Sequence, residues 1–167
     1  MSWAKIKAAQ INVDEEQACV LRQNASIAKD VVAASADALW NRVGLEVESI
    51  ARELCEELPL AKKCGLRAER LNSNNITIST RVSPLLRMEI IYYSKTGIGG
   101  TIRKAYTSWD SWRVANLSMI RFAVDSQMQP WFSDGSRYLH PEQVAEELME
   151  EVVQFLGDAS KRPYIVG

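Results

Sequence analysis

The feature that most constrains this chain is a run from residue 13 to residue 58 without a proline. Apolar residues recur along it at Leu21, Ala28, Val32, Ala36, Leu39, Val43, Val47, Ile50, Leu54 and Leu58. The steps are three, four or seven residues, which is one face of a helix. Asn12 and Glu15 have the spacing of a capping box, and Asp14, Glu15 and Glu16 suit the positive end of a helix dipole. Pro59 predicts the stop.

A single helix over 13–58 would be about 69 Å long at 1.5 Å per residue. A compact domain of 167 residues is roughly 40 Å across. The helix must therefore break or protrude. Asn24-Ala25-Ser26 and Ser35 are the expected breaks, because Ser and Asn favour caps over interiors. Gly44 weakens the later part by about 1 kcal/mol relative to Ala. The pattern predicts a firm helix from Ala36 to Leu58 docked on one α+β domain, residues 36–167. Residues 1–35 are then a helical arm or a first helix. The apolar stripe of that arm is thin and Ala-rich, which suits a partner helix. A homodimer through residues 13–35 is the expectation that follows.

Beyond Pro59 the periodicity changes. Asn72-Ser73-Asn74-Asn75 reads as a loop. Strands are expected over 76–82, 87–93, 101–106 and 117–124, with a weaker one over 127–132 that Pro130 confines to an edge or bulge. Lys95 to Gly100 reads as a glycine-rich turn rather than a phosphate loop, since strands flank it. Asp134-Gly135 is a hairpin signal leading to a short strand at Leu139. Pro141 opens a last helix to Phe155, with Val144, Leu148, Val152 and Phe155 on one side. The sum is an α+β fold: a long N-terminal helical region, an antiparallel sheet of five to six strands and a C-terminal helix. Helices cover one sheet face and leave the other open.

Net charge is −1, which excludes a globally basic nucleic-acid binder. The charges are nonetheless segregated. Residues 1–61 hold 6 basic and 10 acidic groups, net −4; residues 62–121 hold 11 and 3, net +8; residues 122–167 hold 3 and 8, net −5. Strand alternation turns Arg81, Arg87, Arg103 and Arg121 outward, with Tyr93 among them. Lys104 shares phase with Ile102 and does not fit. Arginines on an open sheet would hold carboxylates or phosphates. The plainer account is a solvated face balanced by the acidic helices. Trp109 and Trp112 lie between two strands, where exposed tryptophans anchor partners and buried ones pack on the sheet edge.

Catalytic signatures are lacking. His140 has no nucleophile or orienting acid at a telling spacing, so a capping or solvent-facing role is expected for it. Glu146, Glu147, Glu150 and Glu151 read as a solvated helix face. Three cysteines, Cys19, Cys55 and Cys64, make neither a disulfide framework nor a zinc site. No cofactor and no metal ligand is expected. The first residues lack the apolar run of a signal peptide, and no segment is apolar enough for a membrane span, so a reducing cytoplasm is the expected setting. The reading is a non-enzymatic binding or accessory protein whose basic sheet face and aromatics meet an acidic protein or polyanion. Nucleic acid is disfavoured by the lack of an RNP-type strand. The alternatives are the self-associating arm and a small-ligand pocket, enzymatic or not, between sheet and long helix.

Overall fold

The computed structural model describes residues 2–107 and 112–162. Helix α1 spans Trp3–Gln23, α2 spans Ala25–Glu57 and α3 spans Pro59–Cys64. Strands follow as β1 (Arg67–Asn72), β2 (Asn75–Ser79), β3 (Leu85–Tyr93), β4 (Gly97–Ala105), β5 (Arg113–Val124), β6 (Pro130–Ser133) and β7 (Tyr138–Leu139). Helix α4, Pro141–Ser160, closes the order. The seven strands form one antiparallel meander, β1 to β7 in sequence order. The fold is α+β as expected, with one strand more than the upper estimate.

The helical region starts earlier than the Asn12 box implied. Ser2 is the N-cap, its hydroxyl accepting the Lys5 N–H at 3.3 Å. Ala4, Ala8 and Ala9 favour helix, and nothing interrupts the turns before Asn12. Asn24 is the break, and it is slight. Its N–H reaches Val20 O at 3.0 Å and its carbonyl accepts from Ala28 at 2.9 Å, so the ladder runs through it. Ser35 does not break the helix; its hydroxyl donates to Val31 O one turn back instead of capping a new helix. Every described side chain of α1 is exposed, and burial begins only at Ala36.

From Ala36 onward α2 buries Leu39, Trp40, Val43 and Val47 against the sheet. Helix α4 adds Val144, Leu148, Val152 and Phe155. Ile76, Ile78, Met88, Ile90 and Ile102 rise from the sheet to meet them. Trp40 is core, as expected; it stacks on Tyr92 at 5.3 Å and donates Nε1–H to Ser73 O at 2.9 Å. Gly44 has a local reason. The Arg70 Nη2 lies 2.0 Å from where a Cβ there would be.

Three strand expectations needed correction. β1 is additional to the expected strands, because Arg67, Glu69 and Arg70 mask its alternation. β2 ends at Ser79, so Arg81 and Val82 lie in the following loop. The glycines of 97–100 are strand rather than turn. Gly97 and Gly100 have φ of 145° and 151°, and a Cβ on either would meet a neighbouring carbonyl, Ile120 O at 2.0 Å or Glu89 O at 1.9 Å. They let β4 pass close between β3 and β5 through a bulge, where Ser118 and Met119 oppose Gly99.

Candidate functional site

The pairing registers assign the residues of the open face. Arg67, Ser79, Arg87, Arg103 and Val114 form one row across β1 to β5. Neighbouring strands are about 4.8 Å apart, so the row from Arg67 to Arg103 is about 14 Å long. Arg87 and Arg103 face each other directly. Two like charges in that relation repel. Each finds local relief. Arg87 Nε lies 3.1 Å from Glu89 Oε1, and Arg67 Nη1 lies 3.3 Å from Glu69 Oε1. The Arg103 guanidinium instead sits 4.3 Å above the Trp112 ring. No carboxylate among the described residues pairs with it.

Of the seven residues expected to build a site, the fold brings together Arg87, Arg103 and Trp112. Trp112 is 37% exposed. Tyr93 shares their face but lies six residues along β3 from Arg87, about 20 Å away. Arg121 pairs with Gly97, opposite Tyr93, and so joins that far end. Arg81 lies in the loop after β2, its side-chain carbons against Gly65. Trp109 lies outside the described residues. Arg67 was missed, although Leu66 and Ala68 on either side pack inward and carry the alternation.

The rest of the basic segment is partly turned elsewhere. Arg70 crosses to α2, with Nη1 2.9 Å from Asn41 Oδ1 and Nε 3.9 Å from Glu48. Lys104 reaches Glu151 of α4 at 3.0 Å, which is why it shares phase with Ile102. Its apolar stem covers the core edge while the ammonium meets the carboxylate.

Two other features bear on function. A cleft of about 880 Å³ opens between β4–β5 and α4, lined by Ile102, Lys104, Arg113, Leu117, Leu148 and Glu151 among others. Along it, no described strand pairs with the outer side of the first part of β5. Arg113 to Ile120 pair with β4 on one side, while β6 takes up the other side only from Arg121. His140 caps α4, its N–H donating to Gln143 Oε1 at 2.8 Å, and its ring packs 4.5 Å from Trp131. Trp131 in turn donates to Asp125 Oδ2 at 2.8 Å. The Gln129 and Trp131 N–H groups, with that of Gln127, hold the Asp125 carboxyl below its usual range. Glu147 and Glu151 are paired, to Arg137 and Lys104, rather than simply solvated.

Of the cysteines, Cys64 is buried, Cys55 half-buried and Cys19 exposed. Burial pushes the Cys55 and Cys64 thiols up, away from the reactive thiolate. Among the described residues no three His, Cys, Asp or Glu side chains cluster as a metal site. No described helix is long and apolar enough to cross a membrane. No protein-family model matches the chain, and neither a curated protein nor a solved structure does. The class is therefore defined by fold alone: an α+β chain with a long helical arm and a sheet that no described helix covers on its second face.

Proposed function

We propose that this chain is a non-catalytic binding or accessory protein that holds an acidic segment of a partner protein on its open sheet face. The observation that carries the reading is the Arg87–Arg103 pair, two exposed like charges set side by side with Trp112 against the second. A carboxylate between them would remove their repulsion and accept from both guanidinium forks. The row is short, and Glu69 and Glu89 lie in the next row across the same strands. A single-stranded nucleic acid needs a longer cationic track and several stacking rings, so an acidic peptide fits better. A reducing cytoplasm is the proposed setting, in keeping with three free cysteines.

The test uses polyglutamate and a single-stranded oligonucleotide of equal charge, each at low and moderate salt. Polyglutamate should bind, weaken as salt rises, and lose about tenfold or more in Arg103→Glu and Arg87→Glu, since each removes a charge-assisted contact of order 1.5 kcal/mol or more. Binding that ignores both salt and these substitutions ends the proposal. Preference for the oligonucleotide replaces it with a nucleic-acid reading.

A second reading, pairing of two copies through residues 13–35, is favoured by the exposure of every described side chain of α1. It leaves the sheet face free.

A further inference from the structure

Ile6, Val13, Val20 and Ile27 recur every seven residues, and each is about half exposed, at 52%, 48%, 53% and 52%. A step of seven keeps one line along a helix and is the spacing of one of the two core positions of a helix–helix seam. The direction of this seam is informative. Ala36, Trp40, Val43 and Val47, which α2 buries, lie roughly 160–220° around the helix from Ile27 at 3.6 residues per turn. The seam thus points away from the docked face, and the sheet cannot cover it. No described part of the chain buries these four residues.

The arm's own side-chain support is slight, chiefly the Gln10 amide donating to Asp14 Oδ1 at 2.9 Å. A helix that is polar over most of its surface gains from i,i+4 side-chain pairs or from a partner helix. Among the described residues α1 forms no salt bridge. What would cover the seam is indicated by its own composition. Ile, Val, Val, Ile reads the same from either end, so the seam is complementary to itself. Residues 3–34 carry Lys5, Lys7, Arg22 and Lys29 against Asp14, Glu15, Glu16 and Asp30, so two arms meet without net repulsion. Four positions per heptad over this length give about 18 residues a side, close to the 20–30 of a standard interface.

We propose that a second copy of this chain docks along the line Ile6–Val13–Val20–Ile27 in an isologous helix pair. The proposal rests on the second reading above and sharpens it: the contact begins at Ile6 rather than residue 13 and runs along one line. Gln10, Gln17 and Asn24 flank that line as its polar positions.

Sedimentation of the full chain from low to high micromolar concentration tests it, beside Val13→Glu/Val20→Glu and Gln17→Leu. All three positions are exposed, so the core is untouched. The wild type should be a dimer, the double variant a monomer with unchanged circular dichroism of the sheet, and Gln17→Leu a tighter dimer by about tenfold or more, since each copy buries one more apolar side chain. A monomeric wild type overturns the proposal. So does a double variant that keeps the wild-type mass, or a Gln17→Leu variant with unchanged affinity. A spin label on Cys19, the exposed cysteine of the arm, separates the two levels. A short interspin distance in a dimer that the double variant does not disrupt retains the arm and rejects the seam. A dimer without such a distance rejects both.

Discussion

The Tyr92 hydroxyl donates a 2.6 Å hydrogen bond to Asp37 Oδ1, joining β3 to the first docked turn of α2. The Tyr92 ring is sandwiched into the core between Trp40, stacked at 5.3 Å, and Phe122, edge-on at 6.2 Å. The hydroxyl is thus fixed by its ring, and Asp37 is the acceptor it finds at the core boundary. Asp37 follows Ala36, the first buried residue of α2.

Removing that hydroxyl should cost stability without disturbing packing. Tyr92→Phe is expected to lose about 1.5 kcal/mol, the lower end for a hydrogen bond to a charged acceptor. Urea denaturation at neutral pH checks it, and Asp37→Asn combined with it should add little, since both remove one bond.

Alkaline pH should act on the same contact. Burial, then the bond to Asp37 and its negative charge, push the Tyr92 phenol well above its ordinary value of 10.0. The fold therefore favours the neutral phenol. Its contribution is complete below pH 10 and is lost progressively as pH rises above that. Stability measured between pH 8 and 11 should fall in the wild type and fall less in Tyr92→Phe.

Acid acts through different groups. Asp134 accepts from the Ser136 N–H and hydroxyl and from Arg137, which hold its carboxyl far below the usual range. Arg42, at 2.6 Å, lowers Glu142 and ties α2 to α4. Folded values below unfolded ones give stability that is present above the unfolded pKa near 4 and lost as pH falls. Denaturation midpoints should therefore drop below pH 4, and Asp134→Asn should flatten that decline while lowering the midpoint at pH 7.

Glycines offer a paired prediction. Gly100→Ala should destabilise by about 2 kcal/mol or more, because a positive φ and a backbone clash act together. Gly157 lies inside α4 with nothing within 4 Å of a Cβ. Gly157→Ala should stabilise by about 0.5–1 kcal/mol. Thermal melts of the two variants should move in opposite directions.

Much of the fold was legible because burial leaves a period in the chain. The phases of β2 and β3, the helix-facing Ile76, Ile78, Met88 and Ile90, and the start of α4 at Pro141 all follow from alternation or proline chemistry. β1 escaped because an edge strand needs no apolar outer face, and charges there discourage pairing with other chains. The glycines of β4 escaped because a bulge and a turn use the same residue type. Of the site, the outward phase of Arg87 and Arg103 could be read, but not their juxtaposition. That depends on register across a hairpin, which no single strand encodes. Arg121 shared the same outward signal and landed elsewhere for this reason, whereas Arg81 lies in the loop beyond the end of β2.

The partial pairing of β5 with β6 has a consequence in exchange kinetics. Consecutive amides of an antiparallel strand point to opposite sides. Among the described residues, only those amides between Arg113 and Ile120 that turn toward β4 have a ladder partner, whereas from Arg121 to Val124 both sets do. Deuterium uptake along this one strand should alternate fast and slow in its first part and become uniformly slow in its last. The strand is then its own gauge: any segment that comes to lie against it would erase the alternation residue by residue, and the length erased would measure the segment.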